Sequence, residues 1–376
     1  MLVIGKVRTA AVILSAAALT LTACGSDSAT APAGGSTPSS PPESAVSGTL
    51  SGAGASSQDS AMQAWIAGFG ETHPGASVQY SPDGSGAGRE ALLGGGVQFA
   101  GSDAYLDEEE TAAAAEVCGP DGALHIPAYI SPIAVAFNLP GIEELNLDAD
   151  TIAKIFRTEI TSWNDPAITA ANPGAELPDI PISPVHRGDE SGTTENFTEY
   201  LAAAAPETWT EEPSGEWPAG IGNGENASGT GGVVSLVSST EGAVTYADAS
   251  AAGNLGRVNV LVGSDYVPLS PEAAAKAVEA STPAAGAGRP EADMAMDLDR
   301  DTAQTGAYPI VLVSYHVYCT AYEDAETVDL VKAFGQYVVS EEGQAAAEAA
   351  AGNAPLSEAL RGQATSALEG ISVLQR

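Results

Sequence analysis

The chain has 376 residues, of which 49 are Asp or Glu and 13 are Lys or Arg, for a formal net charge of −36. That balance excludes nucleic acid as a partner, because a phosphate backbone is gripped by a basic surface. Residues 48–376 exceed the usual size of one domain, so two lobes are the expectation.

Lys6 and Arg8 give the chain a positive start, and residues 9–23 form an apolar run too short to span a bilayer comfortably. This is the layout of an export signal. The run ends in Leu21-Thr22-Ala23-Cys24-Gly25, which resembles the lipobox of bacterial lipoproteins. The resemblance implies removal of residues 1–23 and lipidation of Cys24. The competing reading is an ordinary cleaved signal with a stray cysteine. Residues 24–47, almost entirely Ser, Ala, Thr, Pro and Gly from Ser26 onward, read as a flexible tether. A lipidated cysteine ahead of a tether anchors a globular body outside the cell membrane. Setting Cys24 aside leaves Cys118 and Cys319. Outside the cytoplasm an even pair reads as a disulfide; two buried thiols are the alternative, and spacing does not decide between them.

Through the body, short β-branched or aromatic runs alternate with Ala-rich helical stretches. Strands are expected at 77–80, 97–100, 133–138, 243–247 and 310–318, and helices at 59–69, 89–93, 108–117, 149–156, 194–204 and 328–351. The alternation gives an α/β fold with helices covering largely parallel sheets. Residues 211–232 and 280–293, rich in Gly, Ser, Asn or Pro, read as surface loops or rim elements.

Four Gly/Ser turns each lead into a helix. They are Gly52-Ala53-Gly54-Ala55-Ser56-Ser57, Asp83-Gly84-Ser85-Gly86-Ala87-Gly88, Gly101-Ser102-Asp103, and Arg187-Gly188-Asp189-Glu190-Ser191-Gly192-Thr193-Thr194. A helix start offers unpaired N–H groups and a positive dipole end, glycine lets an oxyanion come close, and Ser and Thr add donors. Singly, each turn is explained by ordinary capping. Four together, one with an arginine, point to an anion site.

In this ordered series the sequence resembles the phosphate-binding proteins of phosphate ABC importers, within the two-lobed type II periplasmic-binding-protein fold. The likeness also takes in Ile152–Asp165 (IAKIFRTEITSWND), Asn172-Pro173-Gly174, Glu216-Trp217-Pro218, Glu241–Tyr246 (EGAVTY) and Tyr308-Pro309-Ile310. It implies that phosphate sits in the inter-lobe cleft on Ser56, Ser57, Ser85, Asp103, Arg187, Ser191, Gly192 and Thr193, with Asp189 orienting the arginine. It further implies delivery to the transmembrane permease subunits of such an importer by a monomeric carrier that needs no cofactor or metal and is not an enzyme. Two departures stand out. Ser57-Gln58 replaces an aromatic–proline pair common after the first hydroxyl, and Glu190 stands where many relatives have glycine.

Phosphate at neutral pH keeps at least one proton and sulfate keeps none. A buried Asp103 would accept that proton's hydrogen bond and face sulfate as a like charge. The simpler readings are that Asp103 caps the next helix and that Arg187 pairs with Asp189 on the surface. The acidic surface does not forbid an anion, since exposed charges beyond about 8 Å are largely screened at physiological salt. Among other classes is a carrier for another oxyanion, such as sulfate, molybdate or phosphonate; Asp103 is the discriminating feature, since a fully ionised ligand should not welcome it. A phosphatase or hydrolase would want a metal or nucleophile motif, and His73, His125, His186 and His316 sit in no such spacing.

The expected lobes are 48–128 with 308–376, and 129–307, joined by crossovers near 127–132 and 304–309. Cys118 and Cys319 then share a lobe.

Overall fold

The computed structural model describes residues 46–222 and 224–375. The signal, Cys24 and almost all of the tether lie outside them. The chain opens with β1 (Gly48–Gly54), α1 (Asp59–Thr72), β2 (Ala76–Ser81), α2 (Ser85–Leu93), β3 (Phe99–Ser102) and α3 (Glu108–Val117). Both β2 and β3 run parallel to β1. Apolar residues recur helically on α1, so Ala61, Met62, Trp65 and Phe69 all turn inward.

Next comes β4 (Ala123–Phe137), fifteen residues that are all buried. A strand covered on both faces loses the in–out alternation of a surface strand. It is followed by β5 (Glu144–Leu147), α4 (Ala149–Phe156), α5 (Pro166–Ala171), β6 (Ser183–Arg187), α6 (Gly192–Ala204), β7 (Glu225–Ala227), α7 (Gly229–Ser239) and β8 (Ala243–Asp248). Then come β9 (Gly256–Val262), β10 (Asp265–Val267), α8 (Pro271–Val278), β11 (Thr282–Pro283) and β12 (Met296–Asp297). The chain closes with β13 (Val311–Cys319), β14 (Ala321–Tyr322), α9 (Ala325–Val339), α10 (Glu341–Ala351), α11 (Glu358–Glu369) and β15 (Ser372–Val373).

The main path of strands is β2-β1-β3-β13-β4-β8-β6-β7. Along it, β4 changes partner: it is antiparallel to β13 from Ala123 to Pro132, then antiparallel to β8 from Ile133 to Phe137. This gives the two-lobed α/β arrangement, one lobe built around β1 and one around β8 and β9, with β4 common to both. Trp65, Phe69, Phe99 and Phe334 pack the first core; Phe156, Trp209 and Tyr246 lie in the second.

Several sequence expectations need correction. The strand expected at 133–138 begins ten residues earlier, because Pro127 and Pro132 are carried inside β4. The single helix expected at 328–351 is two, divided at Ser340, whose hydroxyl accepts from the Gly343 amide to cap α10. The stretch 211–232 contains β7 and the start of α7. Cys118 and Cys319 are bridged. No helix among the described residues is long and apolar enough to cross a membrane.

Candidate functional site

All four turns converge on one carboxylate. Asp103 follows β3 and is buried. Its Oδ2 accepts from Ser57 Oγ (2.6 Å) and Thr193 Oγ1 (3.0 Å), and its Oδ1 accepts from Ser314 Oγ (2.6 Å). Its amide donates to Ser85 Oγ (3.2 Å), and its carbonyl accepts from Asn196 Nδ2 (2.7 Å). Burial pushes the Asp103 carboxyl up from its ordinary value, while the Ser314, Ser57 and Thr193 donors and the Arg187 charge work against that rise. The cap of α3 is Asp107, in a reciprocal box with Glu110, so Asp103 is not spent on capping.

Ser57 lies in a short 3-10 turn between β1 and α1, and Ser85 is the first residue of α2. On the other lobe Arg187 ends β6, and its side chain is only 3 % exposed. Its Nε donates to Asp189 Oδ1 (2.8 Å) and its Nη2 to Asp189 Oδ2, so this is a buried, two-pronged pair rather than a surface one. Asp189 also accepts from the Gly229 amide (3.0 Å). Burial works against the Asp189 charge, but the Arg187 guanidinium outweighs it and holds this carboxyl below the usual range. Ser191 caps α6 by accepting from the Thr194 amide (3.2 Å). Gly192 touches the opposite lobe: a Cβ there would lie 2.8 Å from the Ala104 amide nitrogen and 2.9 Å from the Asp103 carbonyl carbon.

Ser56 makes a different contact, across to Thr230, accepting from its amide (2.9 Å) and meeting its hydroxyl (3.0 Å). The sequence reading missed Thr230, although Ser228-Gly229-Thr230 at the start of α7 repeats the small-residue signal of the other turns. It also missed Ser314, Gln58, Asn196 and Arg89. Gln58 is buried, and its Nε2 donates to Ser314 Oγ (2.8 Å) and Tyr315 O (2.9 Å). The departure from the aromatic–proline pair therefore installs a support for the carboxylate's partner. Glu190, the other departure, reaches across to Arg89 of α2 (Oε1 to Nη2, 3.1 Å), which also holds Glu110 (2.9 Å). Half-buried His186 stacks on Trp217. On one side of Asp103 lies a cavity of about 400 Å³ lined by Tyr105, Glu195, Asn196, Glu199 and Arg300 among others. Its arginine is already paired with Glu199 and Asn196.

The model of the PBP superfamily domain matches residues 39–342. Over 348 residues the chain is 38% identical to Phosphate-binding protein PstS 3 of Mycobacterium leprae, covering 88% of this chain and 90% of that one. It belongs to the PstS family, within that superfamily. PstS2 of Mycobacterium bovis is 36% identical over 369 residues, 96% of this chain and 97% of its own. Among solved structures, PfluDING, a high-affinity periplasmic phosphate-binding protein with phosphate bound, aligns with a TM-score of 0.68 at 22% identity, over 85% of this chain and 93% of that one. Phosphate binding protein from Stenotrophomonas maltophilia aligns at 0.62 and 19%, over 85% and 94%. At these identities the two structures speak for the PstS fold alone.

Proposed function

We propose that this protein captures inorganic phosphate outside the cytoplasm and hands it to the permease subunits of an ABC importer. The observation that carries the reading is the buried Asp103 carboxylate, ringed by hydroxyls from both lobes beside the starts of α2 and α6. The ligand set is Ser56, Ser57, Ser85, Asp103, Arg187, Ser191, Gly192 and Thr193, with Asp189 orienting the arginine fork. Donors come from helix starts, hydroxyls and one guanidinium, which suits a tetrahedral oxyanion.

Proton bookkeeping supplies selectivity. The hydroxyl hydrogens of Ser57 and Thr193 point to Asp103 Oδ2. To bind an oxyanion they turn toward its oxygens, and the proton of phosphate takes their place on Asp103. Sulfate brings no proton, so it would leave Oδ2 without a donor and facing a like charge. Binding draws the lobes together because only the closed form satisfies both sets of contacts.

The lobes in this reading are 48–128 with 308–376, and 129–307; the change of partner in β4 at Pro132/Ile133 supports the first crossover. A lipidated Cys24 and the tether would hold a monomeric, non-enzymatic carrier at the membrane surface. The test is titration calorimetry of protein stripped of ligand by unfolding and refolding, with phosphate and sulfate injected separately. One-to-one phosphate binding with no sulfate response is expected. Sulfate binding with silent phosphate would overturn the ligand and keep the fold.

A further inference from the structure

Asp103 is approached from its far side by a hydrogen-bond chain whose direction is fixed at its Gln58 end. The Gln58 amide nitrogen donates to the Tyr315 carbonyl, which can only accept, so this end of Gln58 is its NH2 group. The same nitrogen donates to Ser314 Oγ at 2.8 Å. Ser314 has one hydrogen; its oxygen accepts from Gln58 and the hydroxyl donates to Asp103 Oδ1 at 2.6 Å. Ser314 sits at a register shift in the β13–β4 ladder: Ser314 faces Tyr129 while Tyr315 faces Pro127, leaving Ala128 as the extra residue. The carbonyl of Ala128 is satisfied by Gln344 Nε2 (2.7 Å), so the bulge is held rather than loose. Bulges of this kind re-aim a side chain.

We infer that Gln58 and Ser314 are positioning residues that keep Asp103 an ionised acceptor and thereby set the phosphate-over-sulfate preference. This rests on the phosphate reading above. The Ser314 hydrogen bond to Oδ1 favours the ionised carboxylate in a place where burial favours the neutral acid. A neutral Asp103 can itself donate to an oxyanion, and would accept sulfate as readily as phosphate. The other ionisable groups whose charge bears on Asp103 are Arg187, Asp248, Tyr80 and Tyr129; the Tyr129 phenol also interacts with Ser314, but burial holds it protonated well above its ordinary range, so it brings no charge to Asp103 in the mildly acidic window.

The experiment measures phosphate and sulfate affinities of wild type, Ser314→Ala, Ser314→Thr and Gln58→Leu across mildly acidic to alkaline pH. In Ser314→Ala the phosphate-over-sulfate ratio is expected to fall about tenfold to hundredfold at mildly acidic pH, the worth of a hydrogen bond to a charged group, and to recover as alkali ionises Asp103. Ser314→Thr keeps the hydroxyl and the ratio. Gln58→Leu leaves Ser314 free to rotate and moves the ratio the same way by less, which keeps the test alive if Ser314→Ala does not fold. A ratio unchanged at every pH in folded Ser314→Ala or Gln58→Leu, with both affinities falling together, overturns the inference and leaves the phosphate reading standing. Absence of phosphate binding in the wild type overturns both.

Discussion

Gly192→Ala isolates lobe closure from folding. Gly192 is the first residue of α6, where alanine is at ease, so the only obstacle is what its methyl would strike. That methyl would sit 2.8 Å from Ala104 N and 2.9 Å from Asp103 C and Cβ. Non-bonded carbon contacts settle near 3.5–4.0 Å. The obstructing atoms are mainly backbone, so no rotamer change relieves them, and the facing segments must part by roughly 0.6–1 Å. Two bonds between the lobes stretch with that movement: the one from the Thr193 hydroxyl, which lies 3.0 Å from Asp103 Oδ2 and turns to the charged phosphate in the complex, and the one from Asn196 to the Asp103 carbonyl at 2.7 Å. Losing one charged and one neutral hydrogen bond costs about 2–4 kcal/mol, which is a loss of affinity of roughly thirtyfold to a thousandfold. A methyl that only presses the facing segments apart leaves the core of each lobe untouched, so the ligand-free melting temperature should hardly move. Calorimetry with phosphate and a ligand-free thermal melt make the measurement. Wild-type affinity in Gly192→Ala would refute the close approach of the two lobes on which the site is built.

Glu190→Gln keeps the shape of the side chain but loses its charge toward Arg89; stopped-flow release of phosphate should quicken by up to about tenfold, with little change in melting temperature. Glu195 gives a pH signature: burial pushes its carboxyl up to about 7, Arg89 opposing and Glu199, Glu190 and Glu110 adding to the rise. A carboxyl raised in the folded state holds its proton there and not in the unfolded chain, so stability falls as pH climbs from the ordinary Glu range through about 7. Glu195→Gln should flatten that slope in melts run across the window, and gain at most about 3 kcal/mol at alkaline pH. Reducing the Cys118–Cys319 bridge, which spans 201 residues, should destabilise by up to about 5 kcal/mol in denaturant titrations. Phosphate affinity of the still-folded protein should stay as it was.

What could be read from sequence follows how local each signal is. The turns at Ser56, Ser85, Asp103 and Arg187 were legible because glycine, hydroxyl and helix start lie within a few neighbouring residues. Ser314 was not, since its meaning depends on Gln58, 256 positions away, and on Asp103, 211 positions away. In the apolar run of β13 it is one small polar residue among Val, Leu and Tyr. Thr230 was legible by the same turn logic and was passed over inside a Gly-rich stretch. The break at Ser340 was written locally too, as a Ser cap followed by Glu341 and Glu342 in the first turn. The length of β4 was hidden by Pro127 and Pro132, which argue against a central strand on local grounds. The bulge beside Pro127 shows how the ladder makes room for it.

The shared strand has a mechanical consequence. Because β4 is stitched to β13 over one stretch and to β8 over the next, with the seam between Pro132 and Ile133, neither lobe can slide along the other without tearing a ladder. Rotation about the seam leaves both ladders whole. The strand is thus built like a leaf spring clamped at both ends, soft to bending and stiff to shear, and bending at the seam is the way of parting the lobes that spares both ladders.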